Sequence, residues 1–522
     1  MKRINQFLVL TTFLYIIACS GGTASKTETV ANTKSPNIIF ILTDDQGWTS
    51  VSHRADPNIP ESKSDFYETP NMDRLAKSGV MFTQGYAPNP ICSPTRNSLM
   101  FGQNAARHIY NQDADWYKKT GDWLTIPKAI KKANPEYQTA HFGKWHIAME
   151  PVKAGFDYHE GMTSNAGGEI FDGEYLDFKN YSKPLENYLV ENQVQNPTNM
   201  RKSGKGCFYW SDENPKDIFG ITNRATEFMK ESITEQKPFY VQLSHFATHV
   251  SLVSQKETYE YFKNKAKGKH HSNPEFAAML KDLDTSVGLI LDFVKEQGIE
   301  DNTYIFLMGD NGGMPALYQM GFVNEDKKLV DGKFTEIHQR NYPLRDGKHS
   351  YYEGGLRVPF MVAGPKIKAG RISETLVSGL DFLPTFAELA GYKGKMPDVV
   401  DGGSLVPLLH NENIEVVKRN RESLIFHQSS HRPPRTAIRQ GNYKLVKYWL
   451  KDFKYKNTPK VELFDLTNDI GETTNLVEKY PQIAKELETE IIDFLTEVNG
   501  ETGKRDIEGA YYRLNADLKK RN

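Results

Sequence analysis

Four oxygen-bearing side chains could do chemistry together: Asp44 and Asp45 in "NIIFILTDDQG", and Asp310 and Asn311 in "NTYIFLMGDNGG". Carboxylate and amide oxygens suit a hard cation such as Ca2+ or Mg2+, not zinc. An Asp pair after an apolar run is by itself a common turn ending. A second run closing on Asp-Asn gives that pair a partner. A cationic set accompanies them: Arg96, Lys144, His146, His249 and Lys348. Lys144 and His146 stand two apart in "GKWH" and would point to the same side of an extended segment. A hard cation beside Lys, Arg and His makes a receptor for a tetrahedral oxyanion, with His or Lys placed for proton transfer. These residue types alone do not separate sulfate from phosphate.

A thiol, Cys92, sits in "PNPICSPTR". Ser93 is expected to cap a helix there, with Pro94 at its first position. Cys92 then lies at a helix N-terminus, a natural anion site. The bland alternative is a small buried core cysteine. The chain has three cysteines, Cys19, Cys92 and Cys207. A Cys92–Cys207 disulfide is the structural alternative in an oxidising compartment.

The elements that must position these groups are short apolar runs. "NIIFIL", "TYIFLM", "PFYVQL", "QTAHFG" and "VPFMVA" read as buried strands of a mostly parallel sheet, because strands covered on both faces are apolar throughout. Four of them end at the polar candidates. Helical patterns lie between them, in "TPNMDRLAKSG" with Met72, Leu75 and Ala76 on one face, in "LTIPKAIKKA", in "FAAMLKDLDTSVGLILDFVKEQG" and in "DFLPTFAELAG". Strands alternating with helices give an α/β fold, whose ligands lie beyond the carboxyl ends of the strands. After about residue 415 the texture changes. "RTAIRQGNYKLVKYW" reads as an antiparallel hairpin, and the helical "YPQIAKELETEIIDFLTEV" follows. The expected organisation is 1–18 leader, 19–35 tether, 36–415 catalytic domain and 416–522 smaller α+β subdomain with a short antiparallel sheet.

The chain has 522 residues with a formal net charge of -1, so nothing global marks a nucleic-acid partner. "MKR" followed by "FLVLTTFLYIIA" is a basic region and an apolar core too short for a comfortable membrane span. The ending "IIACS" resembles a bacterial lipobox, in which cleavage precedes a cysteine that is then lipidated. Cys19 would be that residue. The expectation is export and a lipid anchor in the cell envelope, periplasm-facing or at the cell surface, with no other membrane contact.

"CSPTR" resembles the sulfatase signature. "PNIIFILTDDQGW", "ETPNMDRLAKSGVMFTQGYA", "TAHFGKWHIA", "MGDNGG", "GKHSYYEGGLRVPFMVAGP", "LDFLPTFAELAG", "DGGSLVPLL" and "VELFDLTNDIGETTNL" resemble further blocks of type I sulfatases, in that family's order, from about Pro36 to about Leu476. The resemblance implies an alkaline-phosphatase-like fold. It implies that a maturation enzyme converts Cys92 to formylglycine, whose hydrate carries two geminal hydroxyls, one to attack sulfur and one to expel sulfate by elimination. It implies one calcium ion on Asp44, Asp45, Asp310, Asn311 and modified residue 92. By position, Arg96 and Lys144 would steady the charge, and His146 would take the elimination proton. His249 and Lys348 would hold the sulfate and protonate the leaving alcohol. His245 competes with His249, because Thr248 stands where the family usually has Pro. His349 replaces the usual Gly after the lysine, a change that touches substrate fit.

Two rivals remain at this stage. A phosphatase or phosphodiesterase of the same superfamily usually has Thr or Ser as nucleophile and two zinc ions, and "CSPTR" with "GKWH" argues against it. A non-enzymatic glycan-binding lipoprotein is opposed by the complete catalytic set. The expected substrate is a sulfated carbohydrate, possibly a polysaccharide. Two segments are candidates for touching it. The insert 155–225 carries Tyr158, Phe171, Tyr175, Tyr181, Tyr188, Phe208, Tyr209 and Trp210, as a sugar-stacking surface or a satellite core. "HQSSHRPPRTAIR" carries His427, His431, Arg432, Arg435 and Arg439, suited to an anionic sugar.

Overall fold

The computed structural model of the chain describes residues 35–108, 123–164, 207–210, 212–250, 252–315, 317–318, 321–322, 334–336, 340–428, 435–449 and 461–500. The leader, the tether with Cys19, most of the aromatic insert, and His431 and Arg432 lie outside the described residues.

One eight-stranded sheet organises the larger part of the molecule. Its strands are β1 (Asn37–Thr43), β2 (Val80–Phe82), β3 (Gln138–Gly143), β4 (Tyr158–His159), β5 (Phe239–Ser244), β6 (Thr303–Gly309), β7 (Phe360–Ala363) and β8 (Arg371–Ser373). They lie in the order β8-β2-β7-β6-β1-β5-β3-β4. β1 pairs in parallel with β5, Ile38 opposite Tyr240, and with β6, Asn37 opposite Thr303. β7 runs antiparallel to both β6 and β2, so "VPFMVA" is a buried strand of reversed direction. Its direction was open in the sequence, because burial on both faces leaves no directional mark.

The apolar run of β1 serves two cores. Ile39 and Ile41 pack with α1 (Pro70–Ser78), α4 (Ile218–Thr234) and α5 (Pro274–Glu296). Ile38, Phe40 and Leu42 pack with α2 (Cys92–Phe101), α3 (Ile126–Ala133) and α6 (Phe382–Leu389). Alternation on a strand produces this division. Helix α1 buries Met72, Leu75 and Ala76 and stops at Gly79, as its spacing indicated. Helix α5 is capped by Asn273, whose Oδ1 accepts from Phe276 N at 2.7 Å.

The C-terminal stretch forms an antiparallel sheet, β9 (Leu424–Gln428), β10 (Arg435–Gln440), β11 (Tyr443–Tyr448) and β12 (Val461–Asp465), then α7 (Pro481–Glu497). Ile425, Ile438, Leu445 and Leu463 on one face pack against α7. Leu424, Phe426, Ala437, Val446 and Phe464 on the other pack against Tyr86, Tyr351, Tyr352 and Leu356.

Candidate active site

The four oxygen-bearing residues, Lys144 and the three candidate histidines beside them lie at the carboxyl ends of the central strands. Asp44 and Asp45 follow β1, Asp310 and Asn311 follow β6, Lys144 and His146 follow β3, and His245 and His249 follow β5. Asp44, Asp45, Asp310 and Asn311 are fully buried. Carboxylates buried in this way must be paired or must hold a metal.

Cys92 is the first residue of α2, entered through an extended Ile91. Ser93 therefore lies inside the helix, not at its cap, and Pro94 takes the third position. No side-chain cap bond forms. Thr95 N donates to Ile91 O at 3.1 Å as the first helical bond. The thiol is 3% exposed and lies among carboxylates, not in a disulfide. One ligand atom each of Asp44, Cys92 and Asp310 falls within 4.8 Å of the others.

The cations interleave with these acids. Arg96 donates to Asp310 Oδ2 from Nε at 3.0 Å and from Nη2 at 2.8 Å. Lys144 Nζ sits on Asp44 Oδ2. Lys348 Nζ lies 2.7 Å from Asp45 Oδ1. Burial opposes the charge of Asp44, yet Lys144, His249, Arg96 and Lys348 hold its carboxyl below the ordinary value. Asp310 is pushed up to about 6 by burial and then by the charge of Asp44. Burial lowers His146 to about 3, helped by Lys144 and Arg96, and lowers His249 to about 4. Both imidazoles are neutral at neutral pH. Asp44 and Asp45, whose carboxyls are both held below the ordinary value, thus face a pair of neutral bases.

The two histidines competing on the strand β5 loop go different ways. His245 is fully buried, its Nε2 3.3 Å from Ser286 Oγ on α5. His249 lies in the field of Asp45, Lys144, Asp44 and Lys348. Its Nδ1 is 2.5 Å from Val250 O, so Nδ1 carries the proton and Nε2 is the accepting nitrogen of the neutral ring.

The sequence did not disclose Thr248, Arg340 and Asn341. Thr248 Oγ1 donates to Asp44 O at 3.1 Å and Asp45 O at 3.3 Å. Arg340 Nη2 donates to Asp45 O at 3.0 Å, and its guanidinium lies 3.6 Å over the Phe276 ring. These bonds hold Asp45 at φ 56°, a left-handed conformation. Asn341 Nδ2 donates to Gly313 O and Asp346 O, each at 2.9 Å, tying the Asp310 loop to the Lys348 loop. A Cβ at Gly47 would stand 2.3 Å from Asn341 Oδ1, which is why that turn needs glycine. Each of the three reaches a backbone carbonyl distant in sequence, and no spacing rule flags such contacts.

Other candidates have internal uses. Tyr158 packs on Phe228, ring centroids 5.1 Å apart. His427 Nδ1 is 2.7 Å from Thr436 Oγ1, Arg439 donates to Gln84 Oε1 at 2.9 Å, and Arg435 lies over Tyr448.

Two buried oxygens in the site, Asp44 Oδ1 and Asn311 Oδ1, have no hydrogen-bond partner among the described residues. With Asp45 and Asp310 beside them, they fit a hard, oxygen-loving cation. A strand-end cluster of acids, amide and cations of this composition defines a hydrolase of tetrahedral oxyanion esters on an alkaline-phosphatase-like fold.

Comparison with known proteins narrows the class. Residues 36–392 match the family described as Sulfatase, and 345–497 match N-sulphoglucosamine sulphohydrolase, C-terminal. The chain belongs to the sulfatase family, hydrolases of sulfate esters. It is 28% identical to a sulfatase of Formosa agariphila, over 96% of this chain and 95% of that one. It is also 28% identical to the N-acetylgalactosamine-6-sulfatase of Mus musculus, over 72% of this chain and 66% of that one, so it spans just under two thirds of that relative. The crystal structure of Ps i-CgsB in complex with k-i-k-neocarrahexaose superposes with a TM-score of 0.63 at 25% identity, over 88% of this chain and 93% of that one.

Proposed function

We propose that this sulfatase acts on a sulfated carbohydrate, with calcium held by Asp44, Asp45, Asp310 and Asn311 and with Cys92 converted to formylglycine by a maturation enzyme. The observation that carries this reading is the buried Asp44–Cys92–Asp310 cluster with its two unpartnered oxygens. A thiol is a poor ligand for a hard cation, and burial raises the Cys92 thiol above its ordinary value, against thiolate chemistry. When present, the ion and the formylglycine hydrate supply charge withdrawal from the ester oxygens and an oxygen nucleophile for sulfur. The sugar class is supported by the relatives' sulfated-sugar names.

The chain's own residues do the rest. Arg96 is locked by Asp310 and directs its charge toward residue 92. Lys144 lies on Asp44, a donor for an anionic oxygen beside it. His146, neutral and with Nδ1 lacking a hydrogen-bond partner among the described residues, is placed to accept a proton. Lys348 remains charged beside Asp45, because Asp45 and Asp44 outweigh its burial. It is the proton-bearing group of the leaving-oxygen pair. His249 Nε2 becomes a donor only when an anionic ester beside it favours its protonation. Export with lipidation at Cys19 completes the proposal.

The test is peptide mass analysis of residue 92 together with sulfate release from sulfated monosaccharides, before and after calcium chelation. An aldehyde at residue 92, turnover, and its loss and recovery with calcium are expected. Full turnover by protein carrying an unmodified thiol would overturn the reading.

A further inference from the structure

One residue beside this site takes no part in the chemistry above, and its backbone is unusual. His349 has φ 74°, a left-handed conformation that non-glycine residues rarely adopt. Its side chain is exposed, while Lys348 before it and Ser350 after it are buried. The loop cannot drift. Lys348 N donates to Gly313 O at 2.8 Å, His349 N to Pro90 O at 3.0 Å, and Ser350 N to Gly347 O at 2.9 Å. These bonds fix the His349 backbone between the Asp310–Asn311 loop and the segment leading into Cys92. At Gly347 a Cβ would stand 2.3 Å from Gly313 O, so glycine is required there by space. At 349, where glycine would relieve the backbone, a full imidazole stands instead. Strain kept at a residue on the rim of a reaction site points to a use for the side chain.

We propose that His349 is a specificity-determining residue that hydrogen-bonds the hydroxyl groups of the sugar carrying the sulfate ester. The inference rests on the sulfated-carbohydrate reading above. A neutral imidazole offers one donor and one acceptor, which matches vicinal hydroxyls. Although the residue keeps an edge open to solvent, the partial burial of its ring and the adjacent Lys348 favour that neutral form, with Asp45 opposing. Lys348, on the inward side of the same turn, faces the sulfate region. The ester oxygen therefore lies between a residue that reads charge and one that reads the sugar.

The test compares the parent with His349→Gly and His349→Asn on nitrophenyl sulfate and on sulfated glucosamine, galactosamine and galactose monosaccharides, using the sugar that the parent hydrolyses fastest. His349→Gly should lower kcat/KM for the sugar about fivefold to tenfold, chiefly through KM, the effect of one or two neutral hydrogen bonds. It should leave the aryl ester within about twofold, since that ester has no hydroxyls to read. His349→Asn, which tolerates positive φ and keeps a donor and an acceptor, should recover part of the loss. The melting temperature of His349→Gly should equal or exceed the parent's. Equal losses on both esters would make the residue a loop support, and no loss on either would leave it without a role; both overturn the inference. A parent that hydrolyses only the aryl ester would overturn the carbohydrate reading itself, and this inference with it.

Discussion

Arg340 holds Asp45 by its carbonyl, so its effect should appear in ion binding before it appears in folding. On the proposed calcium site, Arg340→Met should weaken calcium affinity about 10–100-fold, the range for partners that orient a ligand, in titrations of chelator-stripped protein. Arg340→Lys should fall between. The four oxygen-bearing side chains and Lys144 were legible in the sequence because each follows a strand-forming run, whereas Arg96 lies on a helix and Lys348 in a loop. Arg340, Asn341 and Thr248 were not, because what they touch is backbone brought near only by folding. Acid sensitivity belongs to this scale too. Burial lowers His245 to about 3 and His271 to about 4, from 6.5 in an unperturbed ring. Between those values the unfolded chain binds more protons. Their contribution to stability is therefore intact above pH 6.5 and is lost as pH falls from 6.5 toward 4. The melting temperature should drop across that window, and His271→Gln should flatten the slope by up to about 1.4 kcal/mol per pH unit.

At the scale of elements, β1 and its flanking helices set the precision of the site. Phe40 lies edge-on to Phe382 at 4.7 Å between centroids and near Phe386 at 5.9 Å. Phe40→Ala should destabilise by about 3–5 kcal/mol in chemical denaturation, through lost burial and an unfilled cavity. Asn273→Ala, which removes only the α5 cap, should cost about 1 kcal/mol. A cap loss comparable to the core loss would contradict this division. The long buried strands β1 and β6 were readable as continuous apolar runs, and β3 and β5 as shorter apolar stretches that run into Lys144 and His245. The two- and three-residue strands β2, β4 and β8 were not, since so short a stretch has no period to detect. The start of α2 shifted because Ile91, not Ser93, makes the turn into the helix. The hairpin of β10 and β11 was readable from its Gly-Asn turn, which lies at Gly441 and Asn442.

Across the whole molecule, the C-terminal sheet backs the loop that bears Lys348. Lys444 on β11 is fully buried, 2.9 Å from both Glu353 and Glu472, and Tyr86 Oη donates to Glu353 Oε2 at 2.7 Å. Lys444→Met would strand two buried carboxylates and should destabilise by about 3–5 kcal/mol. A melting temperature equal to the parent's would show that the acids are otherwise satisfied. Among the described residues no helix is long and apolar enough to cross a membrane. The pairing of β1 has a further consequence, which concerns time. Asn37 meets Thr303, 266 residues downstream. At about 5–20 residues per second of synthesis, the run from Ile38 to Leu42 waits about 13–50 s before both neighbours exist. Cys92, 211 residues before Thr303, spends about 11–42 s of that interval without the Asp310 strand beside it. Once the sheet closes, the thiol is 3% exposed. On the proposed conversion of Cys92, the maturation enzyme works against a clock set by the order of the strands. Delaying synthesis between residues 92 and 303 should raise the modified fraction, and refolding purified unmodified chain first should abolish it.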